Sequence, residues 1–401
     1  MKGIARKYVE FLRREHVAAL LAVALVARMP IGMVGFSMVM FLREALGSFA
    51  LAGSAVGINF ISMAAAAPIQ GRLIDLYGPR RVLYVTALVQ PLALLGILAA
   101  AKLGWGYGAV ATFAAIAGVF ASPITTLTRT LWRHRFDREE DRRTAFALDA
   151  VTIEVNFTLG PAIVAAALAL VSATAAFAIA IGAVVVSVTV YLASRALSLF
   201  RKVESAERHL LGPLTEPRLW LVFIATFGTT VSFGLLEIGY PAFATLLGMP
   251  ALAGVLLAVN SLGSAIGGAL YGGLHFRAPV ERQYATILAL MAVPIFLHAV
   301  FLQPLAFGVL AFHAGALIAP SITAQSVLVS RLAPAKYATE AFTWSSTFIV
   351  SGLGAGMALG GAVIEKAGIA EAFAVGGVVV TAAALLALGL LGSARVAPDR
   401  A

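Results

Sequence analysis

The sequence has no cysteine and few charged residues. Without cysteine the chain has no disulfide, no thiolate metal site and no cysteine nucleophile. Charged residues make up 12% of the chain and hydrophobic residues 61%, whereas about 25% charged residues is usual in a soluble domain. This composition excludes an ordinary soluble protein and indicates a chain whose solvent is lipid.

Motifs of the common enzyme classes are also missing. The sequence has no phosphate-binding G-x-x-x-x-G-K-[ST] loop, no His/Glu zinc pattern and no serine nucleophile elbow, so neither ATP as a direct energy source nor an intramembrane enzyme is indicated. We therefore expect no enzyme activity, no metal and no cofactor.

Long apolar runs fill the chain instead. A hydrocarbon core of roughly 30 Å needs about 20 apolar residues per helix. Charged residues and segments rich in glycine and proline separate the sequence into twelve such runs. The predicted spans are 16–42, 49–71, 82–101, 107–131, 144–171, 174–195, 218–247, 250–273, 283–301, 304–329, 340–365 and 370–393. An all-α membrane protein with twelve transmembrane helices is predicted.

The basic residues predict the orientation, because cytoplasmic loops retain lysine and arginine. With the N-terminus inside, the inner segments hold 24 of the 29 basic residues and the outer loops hold 3. Both termini are therefore expected in the cytoplasm, in a multi-pass protein of the inner (plasma) membrane. The same asymmetry accounts for the net charge of +10, so no nucleic-acid partner is implied.

A polar stretch at 196–217 separates six spans from six, which predicts bundles at 1–195 and 218–401 joined by a cytoplasmic loop. Its apolar residues Leu197, Phe200 and Leu210 among charges suggest a short helix on the membrane surface. A weak repeat supports the division, since Gly71 recurs as Gly272 at an offset of 201 residues. Related halves of this kind are typical of transporters.

The clearest local signal lies between spans 2 and 3. The glycine at Gly78 suits a turn, Gly71 permits close helix approach, and Asp75 suits a basic partner or a helix N-terminus. Arg80 and Arg81 follow, and their positive charges are expected to keep this loop on the cytoplasmic side.

This segment, G-R-L-I-D-L-Y-G-P-R-R, resembles motif A of the major facilitator superfamily, G-x-L-x-D-x-x-G-x-R-R, and the likeness extends over the chain through the six-plus-six layout. The resemblance implies a state-dependent latch. Because Phe276 replaces the acid in the second copy, that latch is expected mainly at Asp75. Gly160 and Pro161 resemble a degraded motif C of drug/proton antiporters, which implies efflux-type relatives with drug or sugar substrates.

Ionisable residues inside the membrane cost roughly 2.5 to 3.5 kcal/mol or more at a helix centre. Arg28 in span 1 and Glu154 in span 5 lie about 18 Å and about 15 Å along their helices. We predict an Arg28/Glu154 pair across the cavity, with separate static partners as the alternative. In the superfamily fold, spans 1, 4, 7 and 10 line the cavity and spans 2, 5, 8 and 11 flank it.

Four further residues are candidates for the substrate or proton pathway. Arg129 near the inner end of span 4 and Asp149 near the inner start of span 5 are expected at one level. A structural ion pair is the favoured interpretation, and a coupling role for Arg129 is the alternative. Glu237 in span 7 and His313 in span 10 are expected in the outer half, either binding substrate or protons or making interhelical hydrogen bonds.

The predicted function is secondary active transport of a small organic solute by alternating access, as a proton-coupled efflux carrier that works as a monomer. An uptake symporter or uniporter for an organic anion, with Arg28 as the clamp, is one alternative. A non-transporting membrane receptor or scaffold is the other. The sequence leaves the substrate, the direction and the coupling ion open.

Overall fold

The computed structural model describes residues 10–136, 139–194, 197, 215–273, 277–333 and 338–394. Within these ranges the chain is helical, with 12 helices long and apolar enough to cross a membrane. Most of the predicted central loop, and with it the predicted surface helix, lies outside the described residues, as does Phe276.

In the described residues, short connections join the first six helical spans. Serines cap spans 2 and 6, where Ser48 and Ser172 accept hydrogen bonds from backbone N–H groups. Gly78 joins spans 2 and 3 with φ 83, a left-handed conformation that glycine adopts without a Cβ clash. The spans are Val17–Leu46, Phe49–Tyr77, Pro79–Lys102, the helix pair Tyr107–Val119 and Ile124–Arg135, Glu139–Leu170, and Ala173–Ala193.

The last six spans repeat this pattern. Proline occupies the first turn of spans 7 and 10, where its missing N–H costs no hydrogen bond. The spans are Pro217–Leu246, Ala251–Gly273, Val280–His298, the helix pair Pro304–Gly315 and Ile318–Leu332, Ala338–Lys366, and Ile369–Ala394. Several spans contain a proline, but among the described residues only spans 4 and 10 divide into two helices.

The breaks in spans 4 and 10 are held in the same way. Asn59 of span 2 donates its side-chain amide to the carbonyl of Ala114 at 3.0 Å, and Asn260 of span 8 donates to the carbonyl of Ala311 at 3.0 Å. The two asparagines are 201 residues apart, the offset of the Gly71/Gly272 repeat. Spans 2 and 8 therefore brace the broken helices of their own halves equivalently.

The halves of the chain contact each other through span 2 with span 11 and span 5 with span 8. We call the end where span 1 begins the tail end and the other the far end. The described contacts of these span pairs lie toward the far end. A Cβ on Gly53 would be 2.4 Å from the Met357 carbonyl oxygen, and one on Gly254 would be 2.2 Å from the Ala165 Cβ. Only glycine permits these approaches.

Polar contacts reinforce the far-end closure. The Glu365 carboxylate of span 11 accepts hydrogen bonds from the Ala50 N–H at 3.0 Å and from the Ser48 hydroxyl. It thus meets the N-terminus of span 2, where the helix dipole favours negative charge. Ser261 of span 8 donates to the Phe157 carbonyl of span 5 at 3.0 Å.

Toward the tail end, the described residues of these spans show no comparable approach between the halves. A Cβ added to Gly71 or Gly272 would meet no atom within 4 Å. The exposed fractions of Leu76 and Tyr77 in span 2 are 56% each. In the part of the chain that the structure describes, the halves therefore touch at the far end and not toward the tail end.

Candidate functional site

Three charged residues form one cluster between spans 1, 4 and 5. The Arg28 Nη1 lies 2.7 Å from the Asp149 Oδ1 and its Nη2 lies 3.3 Å from Oδ2, while the Thr152 hydroxyl is 3.2 Å from Nη1. Arg129 approaches Asp149 from span 4, with its Nε 3.7 Å from Oδ2. Two guanidinium groups therefore share one carboxylate.

The prediction that Arg129 and Asp149 lie at one level is confirmed by this distance. Asp149 is expected near the inner start of its span. The helix that carries it begins at Glu139, and the apolar span within that helix begins at Val151, which agrees with this expectation. Glu154, the predicted partner of Arg28, has a side chain outside the described set. Asp149 is the described carboxylate that pairs with Arg28.

Burial differs sharply within the cluster. The side chains of Arg28 and Asp149 are 0% and 1% exposed, whereas that of Arg129 is 55% exposed. Arg28 is thus bound into the helix interfaces and presents no surface to a substrate in this state, contrary to the idea of an Arg28 clamp. Arg129 is the member of the cluster that solvent reaches.

Two aromatic residues missed in the sequence complete the cluster. The Trp132 indole N–H donates to the Asp149 Oδ1 at 3.0 Å, one turn after Arg129 on span 4. The Thr128 hydroxyl donates to the Tyr191 hydroxyl of span 6 at 3.4 Å. The spacing of Thr128 and Trp132 on one helical face was the available signal, but Tyr191 lies too far along the sequence for any local pattern to find it.

Gly32, Gly160 and Pro161 explain how spans 1 and 5 come close enough for the pair. A Cβ on Gly32 would lie 2.4 Å from the Asn156 carbonyl oxygen, and one on Gly160 would lie 2.7 Å from the Gly32 carbonyl carbon. Pro161 also faces span 8, since its carbonyl oxygen would be 2.8 Å from a Cβ on Gly254. The motif C-like residues therefore form a packing crossing in this state. Gly35, further along span 1, packs against the Phe60 ring of span 2.

The crossing of spans 1 and 5 also contains buried Asn156, whose side-chain amide lacks hydrogen-bond partners among the described residues. The Arg28 Nε likewise has no hydrogen-bond partner in the described part of the chain. Buried polar groups without partners are costly, so the crossing of spans 1 and 5 retains unmet hydrogen-bonding capacity beside the ion pair.

The other predicted residues lie away from this cluster. Glu237 is half-buried on span 7, and no described residue forms a hydrogen bond or ion pair with it. His313 is exposed and bonds through Nδ1 to the Val309 carbonyl at 2.8 Å within its own helix, so the expected interhelical bond is not observed there. Arg80 and Arg81 are exposed at the tail end, and the Asp75 side chain is outside the described set.

A bundle of twelve apolar spans whose halves touch at one end, with a buried ion pair between spans 1 and 5, is the architecture of a polytopic membrane protein. The model of the Major Facilitator Superfamily matches residues 20–355, and the chain belongs to this superfamily. It is accordingly a secondary transporter and not an enzyme, a multi-pass membrane protein that moves small molecules across a lipid bilayer.

Solved structures share the fold at low sequence identity. A peptide transporter POT has a TM-score of 0.70 and 14% identity, with 94% of each chain covered. The nucleoside transporter NupG has a TM-score of 0.70 and 13% identity, covering 93% of this chain and 99% of its own. A POT family transporter in complex with a thioalcohol conjugated peptide has a TM-score of 0.73 and 11% identity, covering 95% and 96%. Comparison with curated proteins gave no match.

Proposed function

We propose that the chain is a proton-coupled exporter of a small organic solute, in which the units 1–195 and 218–401 rock about the contacts of spans 2 with 11 and 5 with 8. The observation that carries this proposal is the asymmetry between the ends. Glycine-mediated contacts close the far end, while the tail end lacks them around a partly exposed arginine. Rocking that exchanges these two arrangements is alternating access.

Orientation follows from the loop charges. We infer that both termini are cytoplasmic, so that the tail end opens to the cytoplasm and the solute enters from inside the cell. Reporter fusions at both termini test this orientation, and two periplasmic signals would reverse it.

Glu154 is our first candidate for the proton carrier. It lies five residues after Asp149 on span 5, within the membrane. An acid there binds and releases protons when its surroundings change between the two states. Glu154→Gln, which mimics the protonated acid, is expected to abolish substrate accumulation driven by a pH gradient in proteoliposomes, while downhill exchange of substrate persists.

Glu371→Gln is the matched control, because Glu371 is an exposed acid in the first turn of span 12. It should leave gradient-driven accumulation unchanged. Accumulation by Glu154→Gln at the wild-type level would remove Glu154 from the coupling mechanism, and Glu237→Gln would then be the next variant to measure.

A further inference from the structure

The charge balance of the cluster identifies the class of substrate. Arg28 and Arg129 share the single carboxylate of Asp149, and arginine keeps its charge in proteins. Among the described side chains, the cluster therefore has one positive charge in excess. A charge at membrane depth is costly unless it is hydrated or paired, so a negatively charged ligand would be stabilised here.

Arg129 is the arginine whose charge is available. Arg28 contacts both carboxylate oxygens and the Thr152 hydroxyl, whereas Arg129 reaches one oxygen at 3.7 Å through Nε alone. No described residue bonds to its Nη1 or Nη2. These two nitrogens present paired N–H donors, the arrangement that binds a carboxylate or phosphate in a bidentate manner.

The exposed surface around Arg129 is polar, unlike a lipid-facing surface. Exposed positions of span 3 are apolar, for example Leu88 and Leu92 at 63% and 56%, as expected of a lipid-facing helix. The exposed face of the second helix of span 4 instead carries Thr126 and Arg129. Its opposite face, with Leu131 and others, is buried.

The C-terminal half supplies hydroxyls but no matching charge. The offset of 197 residues that relates Ala114 to Ala311 takes Thr126 to Thr323 and Arg129 to Ser326. Thr323 is exposed on the second helix of span 10, and Ser326 is half-buried. At the positions equivalent to Thr126 and Arg129, the second half thus has neutral polar residues.

We propose that the transported solute is an organic anion, a carboxylate or a phosphate ester, and that Arg129 binds its charged group. This proposal rests on the proposed transport function, because it assigns the substrate class of the same cavity. Arg28 and Asp149 act as positioning residues, since their pairing leaves the charge of Arg129 uncompensated.

The charge at the site is measurable without a known ligand because the chain contains no cysteine. Thr126→Cys introduces one thiol three residues before Arg129, about 5–6 Å away on the same helix face. The purified full chain is reacted with an anionic sulfonate and a cationic trimethylammonium methanethiosulfonate. Relative to a free thiol, the anionic reagent should be favoured by about tenfold.

Three variants locate the source of this preference. Arg129→Gln should remove the preference for the anionic reagent, and Arg129→Lys should retain it. Arg135 lies on the same helix nearer the tail end. Arg135→Gln should change the preference by less than about threefold, because solvent screens the more distant charge. Arg129→Gln leaves the Arg28–Asp149 pair neutral, so thermal unfolding should remain near that of the parent. A preference for the cationic reagent, or one unaffected by Arg129→Gln, overturns the proposal.

Protection experiments then test the ligand class. Benzoate and phenyl phosphate should slow the modification of Thr126→Cys by a neutral maleimide more than the neutral compounds benzamide and benzyl alcohol do. Arg129→Gln should abolish this protection. Equal protection by the neutral compounds, or no protection by a panel of aromatic and aliphatic carboxylates and phosphate esters, contradicts an anion site. Anion protection without any flux in proteoliposomes would refute transport and leave the anion site standing.

Discussion

Asp149→Asn is expected to lower the free energy of unfolding by about 3–5 kcal/mol, the usual cost of breaking a buried ion pair from one side. The substitution keeps an oxygen for the Trp132 N–H but removes the counter-charge of Arg28, whose side chain is 0% exposed. Thermal unfolding of the purified protein in detergent, followed by size-exclusion chromatography of the soluble fraction, measures the loss.

Asp141→Asn is the matched control. It lies on the same helix and pairs with Arg14 at 2.8 Å, but the two side chains are 19% and 48% exposed, so its loss should cost at most about 1 kcal/mol. Arg28→Met combined with Asp149→Asn should recover much of the stability, because no unpaired buried charge remains. An Asp149→Asn protein as stable as Asp141→Asn would show that the pair is not structural.

Gly53→Leu is expected to reduce transport by about tenfold or more while leaving the fold intact. Its Cβ would lie 2.4 Å from the Met357 carbonyl oxygen and 2.6 Å from the Ile238 Cδ1. Overpacking of this kind costs roughly 1–3 kcal/mol, and here the cost falls only on the state closed at the far end. Flux into proteoliposomes at equal reconstituted protein measures the effect.

Gly182→Leu provides the control for adding the same side chain within a span. Gly182 is exposed on span 6, and a Cβ there meets no atom within 4 Å, so transport should be close to wild type. Equal transport by Gly53→Leu and Gly182→Leu would mean that far-end closure is not part of the cycle.

The spans were predictable from the sequence because apolar runs of sufficient length have few alternatives to a transmembrane helix. Their ends were less so. Spans 2 and 5 extend to Tyr77 and from Glu139, past the charges that ended the predicted runs, since a helix continues into the aqueous boundary without cost to its own hydrogen bonds.

The partners within the cluster were only partly predictable. The Arg129–Asp149 pair joins consecutive spans, so its level follows from counting residues along two antiparallel helices. The Arg28–Asp149 pair joins residues 121 positions apart, and its geometry depends on the close crossing of spans 1 and 5 at Gly32 and Gly160. No sequence pattern gives the rotation of one helix against another accurately enough to predict which side chains pair.

The asparagines of spans 2 and 8 illustrate a signal that was present and unused. Asn59 and Asn260 follow the same offset as the Gly71 repeat, and each braces a broken helix. An offset found at one glycine pair extends to polar residues nearby, because equivalent helices in the two halves make equivalent contacts. Proline alone was a weaker guide, since helices continue through Pro30, Pro91 and Pro161.

Reciprocal movement of the two ends is the central claim, and paired spin labels measure it directly in this cysteine-free chain. One pair, Leu103→Cys with Met249→Cys, reports the far end, and another, Tyr77→Cys with Arg277→Cys, reports the tail end; all four positions are exposed. Double electron–electron resonance should show that Gly53→Leu lengthens the far-end distance and shortens the tail-end distance relative to the parent. Distances that stay unchanged at both ends, or change in the same direction, would contradict alternating access.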